Sequence, residues 1–170
     1  GTTPFSRSGD GRLTLKGAVR EILATEMLQA LGAETSRTSS VIETGGSLQR
    51  QDEPSPTRSA VLVRLSHSHI RIGSFQRLFY HDDADGIETL ARHVARHYYA
   101  TPEYSAGQCA GQGTVVDADA GLEDLLADLL QAIASRIAVT TGQWMAAGFV
   151  HGVLNTDNFN VTGESFDYGP

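Results

Sequence analysis

Among 170 residues there is one cysteine, Cys109, and one lysine, Lys16. A lone cysteine excludes an internal disulfide framework and any zinc site built from cysteines alone, and it suits a reducing compartment. Positive charge is scarce: 13 Lys and Arg stand against 20 Asp and Glu, for a formal charge of −7. So acidic a chain is a poor general coat for nucleic acid or an anionic membrane, which leaves local arginines as the means of meeting anions. No apolar run approaches the ~20 residues that span a bilayer, and no charged-then-apolar leader opens the sequence. What is present is 40% apolar and 19% charged residues, enough to bury a core and too much for a disordered or fibrous chain. The length fits one ordinary domain of roughly 100–200 residues. Yet the chain opens at Gly1 without an initiator Met and closes at Pro170 directly after Asp167-Tyr168-Gly169, so we expect a piece of a longer protein.

Residues 1–12 are small and turn-forming, with Asp10-Gly11 the strongest turn signal. From Ala18 to Leu31 the apolar residues Ala18, Val19, Ile22, Leu23, Met27, Leu28 and Leu31 recur at three- and four-residue spacing, and Gly32 follows as a left-handed cap. That predicts an amphipathic helix carrying Glu21. Thr38 to Thr44 predicts a short strand, residues 45–58 a loop, and Ala60–Leu65 and His69–Ile72 two further strands or one bent strand. A second helix is expected over Ile87–Tyr99, with Leu90, Val94 and Tyr98 on one face. After a Gly- and Ala-rich loop, a long helix runs from Leu122 to about Val139, with Thr140-Thr141-Gly142 read as an interruption before Trp144 and Met145. The end of the chain reads as polar loops hung on short strands, where chemistry tends to sit. The class is α+β.

The most informative stretch is His151-Gly-Val-Leu-Asn-Thr-Asp-Asn158, followed nine residues after Asn158 by Asp167-Tyr168-Gly169. Protein kinases use His-Arg-Asp, four residues, then Asn, and later Asp-Phe-Gly; the first Asp is a base, and the Asn and second Asp hold Mg²⁺. Aligning the histidines puts Asn158 and Asp167 on the two metal-binding positions. Val153 occupies the place of the base, and the nearby carboxylate is Asp157. Asn155, Asp157 and Asn158 are also ordinary turn formers. Glu21 suits the helix glutamate that pairs with a phosphate-holding lysine in a small lobe, or a solvated helix face; Lys16 is too close in sequence to be its partner. Arg64 and Arg71 suit phosphate or an exposed strand face beside His67 and His69. Those two histidines lack a third metal ligand, and Cys109 lacks a Cys or His at motif spacing.

These segments resemble the selenoprotein O family (SelO, YdiU in bacteria). Thr3-Pro-Phe-Ser-Arg7 with Gly9-Asp-Gly-Arg12, Val19-Arg-Glu-Ile-Leu23, Val63-Arg-Leu65 and Ser68-His-Ile-Arg-Ile-Gly-Ser-Phe75 are similar to its signatures. Gly148 to Asn158 and Phe166-Asp-Tyr-Gly-Pro170 resemble its active-site loops nearly letter for letter. The resemblance implies a protein-kinase-like (pseudokinase) fold, here an incomplete N-lobe over about residues 1–100 and the start of the C-lobe over about 101–170. It implies transfer of AMP from ATP, bound inverted relative to a kinase, to Ser, Thr or Tyr hydroxyls of proteins, with pyrophosphate released. Asp157 would be catalytic; Asn158 and Asp167 would bind Mg²⁺ or Mn²⁺; Asp10, Gly11, Arg64, Arg71 and Asp167 would contact ATP. Glu21 would pair with a lysine lying before Gly1. The alternatives are a conventional kinase-like phosphotransferase and an inactive nucleotide-binding pseudokinase. Nucleic acid and membrane are not expected partners. Location would be cytoplasmic in a bacterium and mitochondrial in a eukaryote, and residues 1–170 alone are expected to be inactive and poorly folded.

Overall fold

The computed structural model of the chain describes residues 4, 11–51, 53–101 and 114–169. Two units can be recognised, Gly1–Met27 with Ser36–Leu65 and Leu28–Thr35 with Ser66–Pro170. Among the described residues the architecture mixes one three-stranded antiparallel sheet with four helices, the combination expected of an α+β chain.

The first unit holds β1 (Leu13–Thr14), most of α1 (Leu15–Ala30), β2 (Arg37–Leu48) and β3 (Thr57–Leu65), with sheet order β1-β3-β2. Both pairings are antiparallel, with Leu13 opposite Ala60 and Thr38 opposite Arg64. The loop expected over 45–58 is strand at its two ends, where β2 runs on to Leu48 and β3 starts at Thr57. Glu43 pairs with Ala60 and Ser47 with Arg58, so Thr44, Gly45 and Gly46 together stand opposite Ser59 alone. Gly45 takes φ +74°, where a side chain would be strained. The Ser59 hydroxyl donates to the Gly46 carbonyl at 3.1 Å. Paired glycines that read as a loop thus form a bulge inside a continuing strand.

The helix expected from Ala18 is α1. It begins earlier because the Thr14 hydroxyl accepts the Gly17 N–H at 3.0 Å, satisfying one of the donors that a helix start leaves over. Gly32, at φ +78°, follows its end. The buried face differs from the expected apolar one. Glu21 and Thr25 are 4% and 1% exposed, whereas Leu23 is 65% exposed and Met27 is also exposed. Polar groups bury when their bonds are made, and here they are: Thr25 donates to the Glu21 carbonyl at 2.8 Å, and Glu21 pairs with Arg64.

The second unit contains α2 (Gly73–Tyr80), α3 (Ala84–Tyr98) and α4 (Leu122–Ala146). The strand expected at His69–Ile72 is a single bridge, Arg71 to Asn160, and α2, which the sequence reading did not anticipate, follows at once. α3 is capped by Asp83, whose carboxylate accepts from Gly86 N at 2.8 Å. α4 is continuous through Thr140-Thr141-Gly142; the Thr140 hydroxyl is fully buried and donates to the Arg136 carbonyl at 3.1 Å. Its buried stripe, Leu125, Leu129, Ile133, Arg136, Thr140 and Trp144, leaves Leu130 exposed. Val94 and Tyr99 join this core, and the Tyr99 hydroxyl donates to the Val161 carbonyl at 2.6 Å. Buried Arg136 is held by Glu34 at 3.0 Å and by the Thr162 carbonyl.

Candidate functional site

The expected site residues fall in both units. In the first, Gly11 lines a cleft of about 450 Å³ with Thr44, Gly46, Ser59 and Ala60, a size at which small-molecule sites occur. Asp10 lies outside the described residues. Glu21 Oε2 and Arg64 Nη2 are 2.5 Å apart, with both side chains almost fully buried. The helix glutamate therefore pairs with the strand arginine, a partnership that sequence spacing did not suggest.

In the second unit, residues 158–166 fold back as a hairpin. The Phe166 N–H donates to the Asn158 carbonyl at 2.8 Å, and Phe159 bridges Ser165. Arg71 is joined to the same hairpin through its bridge to Asn160, and its guanidinium lies 5.0 Å from the Phe166 ring centroid. Ahead of the hairpin an Asx turn forms: Asn155 Oδ1 accepts from the N–H groups of Asp157 at 2.9 Å and Asn158 at 3.1 Å. Asn158 Nδ2 donates to the Val153 carbonyl at 2.7 Å. The structure thus gathers Arg71, Asp157, Asn158 and Asp167 around one hairpin.

His151 organises the far arm. Its Nδ1 accepts from Val153 N at 3.2 Å, which leaves the proton on Nε2, 2.8 Å from the Ser165 hydroxyl. Ser165 in turn donates to the Asp167 carbonyl at 2.9 Å. Burial lowers the His151 pKa and keeps the ring neutral, against the opposing pull of Asp167. The ring sits among Trp144 at 5.0 Å, Tyr168 at 6.0 Å and Phe149 at 6.1 Å between centroids. In the sequence His151 serves to align the motif, and no local pattern marks Ser165.

The hairpin tip is a buried polar network, also unforeseen. The two hydrogens of Asn160 Nδ2 are shared among Ser66 Oγ at 2.8 Å, the Ser68 carbonyl at 3.0 Å and Glu164 Oε2 at 2.8 Å; its Oδ1 accepts from Thr162 N at 3.0 Å and Glu164 N at 3.0 Å. Glu164 also accepts from Thr162 Oγ1 at 2.6 Å and pairs with His67. Burial pushes the Glu164 carboxyl up, but hydrogen bonds from His67, Thr162 and Asn160 outweigh it and hold the pKa at about 2. The same bond raises the His67 pKa. Against an ordinary carboxyl value of 4.5, the Glu164 contribution to stability is present above that pH and lost as pH falls toward 2; the His67 contribution is present below its ordinary 6.5 and lost as pH rises through the raised value. Glu164→Gln should therefore flatten the acid limb of a plot of urea midpoint against pH, and an unchanged limb would dissociate Glu164 from acid unfolding.

Asn158 and Asp167 supply one amide oxygen and one carboxylate. That is too few ligands for a self-sufficient cage, and among the described residues no cluster of three His, Cys, Asp or Glu stands ready for a metal. The set suits a hard cation such as Mg²⁺, which takes one or two protein oxygens and completes its shell with phosphates and water.

A family model described as protein adenylyltransferase SelO matches residues 1–170. The protein nucleotidyltransferase YdiU of Synechocystis sp. is 54% identical over 170 residues, which are all of this chain and 33% of the relative. The proteins of the same name from Gloeobacter violaceus and Shouchella clausii are 52% and 38% identical over 170 residues, covering 32% and 31% of their lengths. The chain spans about a third of the length of these curated relatives.

Proposed function

The chain belongs to the protein adenylyltransferase SelO family, and from that premise we propose that the full-length protein transfers AMP from ATP to a Ser, Thr or Tyr hydroxyl of a protein. The observation that carries this reading is the single hairpin of residues 158–166, which opens at Asn158 and runs directly into Asp167, with Asp157 just before it and Arg71 bridged to it. Asp157 accepts the hydroxyl proton as the new oxygen–phosphorus bond forms at the α-phosphate. The bond from that phosphorus to the bridging oxygen breaks, and pyrophosphate leaves. Asn158 and Asp167 would hold Mg²⁺ or Mn²⁺, which would supply neutralisation of phosphate charge. Arg64 and Arg71 bind the outer phosphates, with the Arg64 guanidinium anchored by Glu21. Asp10 and Gly11 contact the nucleotide.

A kinase-like fold goes with this reading. It is supported by a small antiparallel sheet beside a helix with a buried glutamate paired to a strand arginine, and by the order His151, Asn158, Asp167 along the later loops. For a bacterial protein the reading places the reaction in the cytoplasm. Among the described residues no helix is long and apolar enough to cross a membrane.

Labelled ATP tests the proposal. With Mg²⁺ and the full-length protein, label in the α-phosphate should become covalently bound to protein, and label in the γ-phosphate should leave with pyrophosphate. Retention of γ-label instead would make the enzyme a conventional phosphotransferase. Nucleotide binding without retention of either label would favour a pseudokinase, the reading to which Val153 at the usual base position points.

A further inference from the structure

Asp157 must be held where a hydroxyl can reach it, and the first turn of α2 is what it rests against. The Gly73 N–H donates to the Thr156 carbonyl at 2.8 Å, and Thr156 Oγ1 donates to Gln76 Oε1 at 2.6 Å. Residue 73 is buried. A Cβ added there would stand 2.3 Å from Asp157 Oδ1, 3.3 Å from its Cγ and 3.4 Å from the Thr156 carbonyl oxygen. The last is ordinary contact, whereas the first is a distance that non-bonded atoms do not sustain. Gly73 is not among the glycines with positive φ, so the backbone does not require glycine at this position. Space does, and the atom that claims it is the carboxylate oxygen. Because a carboxylate end turns aside more easily than backbone moves, a methyl group at residue 73 would reaim Asp157 and leave the turn intact.

We propose that Gly73 is a positioning residue for Asp157: its missing side chain is the seat of the carboxylate, and the first turn of α2 fixes where the proton acceptor points. This rests on the reading of Asp157 as that acceptor. A displacement of about 1 Å at a reacting group costs on the order of a hundredfold in rate.

The test uses full-length protein carrying Gly73→Ala, Asp157→Ala or both, with AMP transfer followed from α-labelled ATP. Gly73→Ala should lower kcat by roughly 10- to 100-fold, with KM for ATP unchanged. Added to Asp157→Ala it should cause no further loss, because the two changes remove the same function. An undiminished kcat in Gly73→Ala, or an equal fold-loss in both backgrounds, would overturn the proposal. If the unsubstituted protein retains γ-label instead, adenylyl transfer fails as a reading and the same comparison is made on phosphoryl transfer. If it transfers neither label, thermal midpoints decide: the shift caused by Gly73→Ala must shrink in the Asp157→Ala background, and equal shifts would refute the contact.

Discussion

Asp167→Ala in the full-length protein should reduce Mg²⁺-dependent AMP transfer by about a thousandfold, equivalent to roughly 4 kcal/mol of transition-state stabilisation. Asp167 supplies the one carboxylate of the proposed metal pair, and without it a lone amide oxygen remains to meet a divalent cation. The loop is tied through the backbone of residue 167, whose N–H donates to Ser165 Oγ at 3.2 Å and whose carbonyl accepts from the same hydroxyl at 2.9 Å. The carboxylate also accepts from Gly169 N at 3.3 Å and acts electrostatically on His151, so a thermal melt of the variant separates loss of folding from loss of metal binding. Asp167→Asn, which keeps the shape and reduces the charge, should retain intermediate activity. Transfer that survived Asp167→Ala at a tenth of the parent rate or better would remove this residue from the metal site.

The largest effect on stability is expected at Asn160. It is fully buried, and both ends of its amide are engaged, so truncation to alanine strands the N–H groups of Thr162 and Glu164 and takes one donor from the Glu164 carboxylate. At about 1–3 kcal/mol for each stranded group, Asn160→Ala should cost about 3–5 kcal/mol by denaturant unfolding at neutral pH. Asn160→Asp separates hydrogen bonding from packing. It preserves volume but turns an acceptor toward Glu164 Oε2 and the Ser68 carbonyl, where Nδ2 now donates at 2.8 and 3.0 Å, and it should be at least as damaging as alanine. A tolerated aspartate would mean that shape, not donor chemistry, fixes this position. Because the hairpin joins the two proposed metal ligands, loss of Asn160 should also weaken Mg²⁺ binding at temperatures well below global unfolding.

The elements that were legible in the sequence are those whose pattern is local. α1 and α3 follow from three- and four-residue apolar spacing, and β3 from the run Ala60-Val-Leu-Val-Arg-Leu65. α2 was hidden because Gly73-Ser-Phe-Gln-Arg-Leu-Phe-Tyr80 is short, aromatic and preceded by Ile70 and Ile72, a composition that favours strand. The bulge in β2 was hidden because glycine pairs more often end strands than bend them. The site divides in the same way. Asn158 and Asp167 announce themselves by order and spacing, whereas the Glu21–Arg64 pair, the Asn160 network and the seat of Asp157 on Gly73 join residues far apart in sequence. A glycine whose importance lies in an atom it does not have leaves no trace in composition or periodicity.

The position of Trp144 has a practical consequence. It is the one tryptophan in residues 1–170 and is 1% exposed, with its ring stacked on Phe159 at 5.6 Å and lying 5.0 Å from His151. Its emission is therefore an optical gauge placed inside the hairpin's own packing. A neutral imidazole leaves indole fluorescence largely intact and a protonated one quenches it, so acid titration of the light reads the charge on His151. A red shift reads water reaching the ring, and with it the moment the two arms that join Asn158 to Asp167 come apart.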